Sequence, residues 1–211
     1  MHAIGFCAQT ACIWEATARK AGNVHRFADF ADTHYADFLL SAAAIAPVLE
    51  GAAGRSLGET ILDAVRATRA AVSSNTNLGI VLLLAPLAAV PRSRDLRVGV
   101  AEVLHATTLD DARRLYEAIR LANPGGLGRS QEQDVQDEPT LTLTETMRLA
   151  ADRDAIARQY AADFRAVFDE GVPALLDGLQ RSATLEGAII GCQLDWLARH
   201  VDTLILRKRG P

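Results

Sequence analysis

The sequence predicts an all-α fold, a single globular domain of about eight or nine helices built around a buried apolar helix at 78–90. Three observations lead there. Apolar residues recur at helical spacing in one segment after another, and no stretch alternates apolar and polar residues as a half-buried strand would. Helix-start signals precede several segments: Ser56 to Glu59, Thr108 to Asp111 and Thr142 to Glu145 each place a hydroxyl at the cap and a carboxylate three residues on. The run Leu78 to Val90 is apolar on every side, so it should be enclosed by other helices.

Taken in order, residues 4–20 are rich in helix formers and Gly22 would stop them. A polar link follows at 23–34. Tyr35 to Leu49 resumes a helical pattern through Phe38, Leu39, Ala42, Ile45 and Leu49, ended by Gly51 and Gly54. Ser56 opens a helix through Leu57, Ile61, Val65, Thr68 and Val72, which delivers the chain to Asn75. The apolar helix comes next, ended by Pro91, then one through Leu96, Val100, Val103 and Leu104. Thr108 starts another through Ala112, Leu115, Tyr116 and Ile119, and Asn123 to Gly128 breaks it. A polar loop with Glu132, Asp134, Asp137 and Glu138 reaches about residue 140; loops of that length in a compact domain are usually functional or disordered. Thr142 then opens a helix expected to run to Glu170, with Gly171 as its stop. A short helix at 173–181 and a long one at 185–206 complete the chain.

Composition narrows the function. The 211 residues are 49% hydrophobic, enough for a sizeable core without staples. Lys and Arg total 22 against 26 Asp and Glu, a formal charge of −4, which argues against a nucleic-acid partner held by phosphate neutralisation. Arg207, Lys208 and Arg209 are too short a basic run to change that. Cys7, Cys12 and Cys192 have no metal-ligand spacing and suggest a reducing compartment, with Cys12 a buried inert thiol. The N-terminus lacks the basic leader of a signal peptide, and the apolar run is too short to span a bilayer. A cytoplasmic protein with no membrane partner is expected.

Chemistry-bearing side chains cluster in three places. Asn75 and Asn77 stand where the apolar helix begins. There they are either caps, Asn77 or Ser74 filling that role, or groups that orient an anion on the free backbone N–H groups. Asp29 and Asp32 would share a face if helical, as surface charges or as two oxygen ligands for Mg²⁺ on a polyphosphate. His25, nearby, is either a hydrogen-bonded structural residue or a general base. Gly125, Gly126 and Gly128 form a helix stop or a ligand loop, lacking the Lys-Ser/Thr of a Walker motif. The acidic residues after them could bind a second metal or keep the loop soluble. No nucleophile-base pair points to covalent catalysis.

Several of these residues fall in a recognisable order. Glu15 to Arg26 (Glu-Ala-Thr-Ala-Arg-Lys-Ala-Gly-Asn-Val-His-Arg), Asp29-Phe-Ala-Asp32, Asn75-Thr-Asn-Leu-Gly79, Pro124-Gly-Gly-Leu-Gly128 with Glu132-Gln-Asp-Val135, and Asp202 to Lys208 resemble the triphosphoribosyl-dephospho-CoA synthase family. The nearer likeness is to a divergent branch typical of archaea and of bacteria with tetrahydromethanopterin-linked one-carbon metabolism. The family is all-helical, and its named activity joins ATP to dephospho-CoA when a ribose hydroxyl attacks the anomeric carbon and adenine leaves. Asn77 and Leu78 replace a His and a Lys of the family pattern, and Ala21 replaces a Pro. The last match falls near the C-terminus, which implies a domain short at that end.

The resemblance implies one pocket shared by Lys20, Asn23, His25, Asp29, Asp32, Asn75, Asn77 and the acidic loop. Asp29 and Asp32 would hold Mg²⁺; Lys20, Asn23, Asn75, Asn77, Gly125 and Gly126 would bind ATP as substrate; His25 and Asp134 would be the catalytic residues. The expected function is a Mg²⁺-dependent nucleotide- or polyphosphate-using transferase in cofactor biosynthesis whose partners are nucleotide or coenzyme-like small molecules, with a homodimer as a further option. The alternatives are a non-catalytic helical partner in tetrahydromethanopterin- or methanofuran-linked metabolism and a metal-dependent phosphate or nucleoside hydrolase.

Overall fold

A computed structural model describes residues 3–125, 132–203 and 206. Its described residues form ten α-helices: α1 Ile4–Thr17, α2 Tyr35–Glu50, α3 Leu57–Ala71, α4 Leu78–Ala89, α5 Leu96–His105, α6 Leu109–Ala122, α7 Leu143–Ala150, α8 Ala155–Ala161, α9 Val172–Arg181 and α10 Leu185–Arg199. This is slightly more than the eight or nine expected. Among these residues there is no strand, only one isolated bridge between His25 and Ala28.

The apolar α4 is the centre. It packs against α1, α2, α3, α5 and α8, and Leu78, Val81, Leu82, Ala85, Ala88 and Ala89 are buried. It contains Pro86, which has no N–H to give the carbonyl four residues back, that of Leu82. The Tyr160 hydroxyl fills the vacancy, donating to the Leu82 carbonyl at 2.6 Å from a fully buried ring. Burial pushes the Tyr160 hydroxyl pKa up, so it remains the donor.

The surrounding helices are set by caps and close approaches. Thr108 and Thr142 form complete capping boxes with Asp111 and Glu145, whereas Ser56 only accepts from Glu59 N and Glu59 pairs with Arg55. At Gly58 an added Cβ would sit 2.5 Å from Asp111 Cα, so glycine there permits α3 and α6 to touch through backbone. Gly58 N donates to Asp111 Oδ1 at 2.8 Å, and further along Arg66 donates to Glu117 at 2.6 Å. The two helices therefore run in the same direction. By the same logic α1 and α2 run in opposite directions, since Gly5 N meets Glu50 and Thr17 meets Tyr35.

Four expectations are corrected. The first helix stops at Thr17, which leaves Lys20 in the following loop. The helix expected from Thr142 to Glu170 is broken twice. At 151–154 the Asp154 carboxylate accepts from Ile156 N and Ala157 N and starts α8; at Asp163 and Phe164 two left-handed residues, φ 52° and 60°, turn the chain and bury Phe164 fully. Gly171 does not stop a helix, because a π-helical turn at Val167–Gly171 runs on into α9. The last helix ends at Arg199, with the His200 ring stacked on Trp196 and paired with Glu170. No helix among the described residues is long and apolar enough to cross a membrane.

Candidate functional site

These directions bring the segments that carry Lys20 to Asp32, Asn75 to Asn77, and Gly125 to one end of the bundle. The C-terminus of α1 and the N-terminus of α2 meet there through Thr17 Oγ1 and Tyr35 OH, 2.8 Å apart. Ser41 on α2 reaches Thr76, hydroxyl to hydroxyl at 2.6 Å, which fixes the α3–α4 connection at the same end. Because α6 runs alongside α3, its C-terminus also lies there. The chain after it folds back along the second half of α6, with Tyr116 OH donating to the Gln133 carbonyl at 2.8 Å and Arg120 to that of Val135 at 2.5 Å.

Lys20 is only 7% exposed. Its ammonium pairs with Glu15, whose Oε1 also lies 3.5 Å from the Asn23 amide. A lysine uses one of three donors in such a pair and keeps two for a ligand. Glu15 was not singled out from the sequence, because its five-residue spacing to Lys20 becomes a contact only when the helix ends between them.

The 18–34 segment is irregular, so Asp29 and Asp32 do not share a helix face as expected. Asp29 Oδ1 accepts from Tyr35 N at 2.6 Å, and its Oδ2 lies 3.4 Å from His34. The backbone N–H holds the Asp29 carboxyl below its usual range, with smaller help from His34, so it is ionised throughout the physiological range. Asp32 is exposed and accepts from Thr33. Among the described residues no three His, Cys, Asp or Glu side chains converge as a self-sufficient metal cage. Mg²⁺ does not need one: a couple of ionised carboxylates completed by water and phosphate oxygens suit it.

Asn77 stands at the N-cap position of α4, as expected, but its side chain makes no capping bond; that bond comes from Asn75. Asn75 Oδ1 accepts from Leu78 N at 3.2 Å. Asn77 is 6% exposed, and its amide nitrogen has no hydrogen-bond partner among the described residues; neither does the buried hydroxyl of Ser74. Buried polar groups without partners are rare and costly, and sites that hold ligands are one place they occur.

His25 Nδ1 accepts from Phe27 N at 3.2 Å, which puts the proton of a neutral ring on Nε2 and makes it a donor. Asp134 is buried beside Tyr116 and accepts from Gln136 N at 2.9 Å. Burial, with Asp134 and then Asp137 nearby, pushes the Tyr116 phenol up to about 12. Gly125 is exposed in the turn after α6. Gly126, Leu127 and Gly128 lie outside the described residues, as do Arg207, Lys208 and Arg209.

A second contribution comes from far along the chain. Glu186, in the first turn of α10, accepts from Arg19 Nε at 2.9 Å and from Arg26 at 2.8 Å, and these guanidinium groups hold its carboxyl below the usual range. Gln193 donates to the Ala21 carbonyl at 3.2 Å. The α10 helix thus straps the loop that carries Lys20, Asn23 and His25, and nothing local in the sequence signals a partner so distant.

Elsewhere, a groove of about 390 Å³ runs along the outer side of α6. Its arginines are already engaged: Arg66 with Glu117, Arg113 with Glu138, Arg114 with Asp110 and Arg120 with the Val135 carbonyl. Burial and the Glu15 charge push the Cys12 thiol up to about 11, which fits the inert role expected of it.

Comparison with known proteins gives two matches. The family model for ATP:dephospho-CoA triphosphoribosyl transferase matches residues 1–211. A crystal structure of an Archaeoglobus fulgidus protein, described as a candidate triphosphoribosyl-dephospho-CoA synthase, superposes with a TM-score of 0.64 at 27% sequence identity, covering 82% of this chain and 75% of that one. No curated protein matches it in sequence.

Proposed function

This chain belongs to the ATP:dephospho-CoA triphosphoribosyl transferase family, and from that premise we propose a Mg²⁺-dependent transferase in cofactor biosynthesis, with ATP as substrate and a dephospho-CoA-like molecule as acceptor. One observation carries the reading. A buried lysine and a buried amide donor with no partner among the described residues lie at the end of the bundle where α4 begins.

In this reading Lys20 neutralises phosphate charge, and Asn77, Asn75 and the N–H groups of the first turn of α4 beyond Leu78 orient it. Asn23 holds Glu15, which in turn holds Lys20. Asp29 and Asp32 would hold Mg²⁺, which when bound supplies further charge neutralisation on the phosphates. Gly125 and Gly126 would add backbone N–H groups. The reaction forms a bond from the acceptor's ribose oxygen to the anomeric carbon of ATP as the bond to adenine breaks. The acceptor's proton passes to a base, for which Asp134 is the candidate, and the His25 Nε2–H is suited to steady the departing adenine. Such a site works by positioning and electrostatics, without a covalent intermediate.

Titration calorimetry with ATP, ADP and pyrophosphate, with and without Mg²⁺, tests this. Metal-dependent binding of ATP is expected, lost in Asp29→Asn while the helical circular dichroism stays intact. Silence across the whole panel would remove the reading.

A second reading, a non-catalytic partner protein in one-carbon metabolism, is favoured by a single feature. Val172, Leu176 and Leu179 on α9 and Leu194 and Leu197 on α10 are exposed, more apolar surface than scattered single residues usually leave. It predicts association without nucleotide binding, and a monomer in light scattering at all concentrations counts against it.

A further inference from the structure

We infer that Phe27 is the stacking platform for the adenine of the bound nucleotide, an inference that rests on the nucleotide-using reading above. Phe27 is 70% exposed, more than any other large hydrophobic side chain among the described residues. Exposure alone means little; the way the ring is held does not fit an incidental surface residue. His25 N donates to the Ala28 carbonyl at 3.0 Å and Ala28 N to the His25 carbonyl at 2.8 Å. These bonds close a tight turn with Arg26 and Phe27 at its tip. Phe27 N donates to the His25 ring, which meets the phenyl ring edge-on with centroids 6.5 Å apart. The phenyl group is thereby ordered before anything binds, which removes most of the entropic cost of stacking on it.

Charge around the ring points to a base that carries phosphates. The Arg26 guanidinium lies 4.9 Å from the ring centroid and that of Arg19 6.0 Å away. Both share the single carboxylate of Glu186, so one positive charge is left over beside the ring. Arg19 also precedes Lys20 in the same loop, so the platform and the proposed phosphate ligand are carried by one segment. Aromatic faces bind bases through stacking, and neighbouring guanidinium groups add attraction for the π system and the phosphates. A protein partner would require a broader apolar area than one ring with a cationic rim.

The test titrates the full chain, in Mg²⁺, with ATP, dephospho-CoA and inorganic tripolyphosphate, for the wild type, Phe27→Ala and Phe27→Trp. Stacking at this ring predicts that Phe27→Ala weakens ATP or dephospho-CoA about tenfold and leaves tripolyphosphate unchanged. Whichever of the two loses affinity is the nucleotide whose base occupies the platform. Phe27→Trp should retain that affinity, and its added indole emission should be quenched by the same nucleotide but not by tripolyphosphate. Equal losses for all three ligands would mean a structural role and overturn the proposal. Unchanged affinities with normal wild-type binding would overturn it while leaving the transferase reading in place, whereas a wild type that binds none of the three would end both.

Discussion

Lys20→Met is expected to weaken Mg²⁺-ATP binding by about a hundredfold or more, the usual loss when one partner of a buried, charge-assisted contact is removed. The ammonium is withdrawn from water at 7% exposure, so its attraction for phosphate is screened far less than a surface lysine's. Met preserves the apolar stem. The Glu15 side chain is 38% exposed and stays hydrated when its cation is gone, so the variant should fold. Calorimetry and circular dichroism together check this: a lost binding isotherm with unchanged helicity is the expected outcome, and unaltered affinity would take Lys20 out of the site.

The largest effect on stability is expected at Tyr160. In Tyr160→Phe the packing is kept but the Leu82 carbonyl, already deprived of its helical partner by Pro86, loses its remaining donor inside the core. An unsatisfied buried acceptor costs about 1–3 kcal/mol, and for a chain of this length each kcal/mol lowers Tm by about 2–4 °C. The midpoint of thermal unfolding should therefore fall by roughly 2–12 °C. Pro86→Ala restores an N–H at the position that lacks one, and in the Tyr160→Phe background it should recover part of the loss. If the two substitutions simply add, the hydroxyl is not the substitute partner for the proline.

What could be read in the sequence were the features that depend on neighbours along the chain. Thr108 and Thr142 announce α6 and α7 because a capping box is a local hydrogen-bond pattern. Enclosure of α4 follows from its being apolar on all sides, whatever encloses it. The break at Asp163 and Phe164 was not legible: two left-handed non-glycine residues are adopted there because the turn buries Phe164, and that reward is tertiary.

The site divides the same way. Lys20, Asn23, Asp29 and the Asn75 to Asn77 stretch could be picked out as chemically capable. The helical face assumed for Asp29 and Asp32 fails because residues 18–34 are held by contacts from α2 and α10 and form no helix of their own. Glu15, Glu186 and Phe27 matter through partners that only the folded chain supplies: the lysine beyond a helix end, arginines about 160 residues away and a ring set at the tip of a closed turn. Of these, only the arginines of Glu186 lie beyond any window on the sequence; the other two have neighbours close by whose contact depends on how the loop folds.

The most direct measurement is a crystal structure of the full chain with Mg²⁺ and ATP. The triphosphate is expected within hydrogen-bonding distance of Lys20 and the Asn77 amide at the start of α4, with Asp29 on the metal. A nucleotide seated instead in the arginine-lined groove outside α6, with Lys20 and Asn77 left untouched, would contradict it.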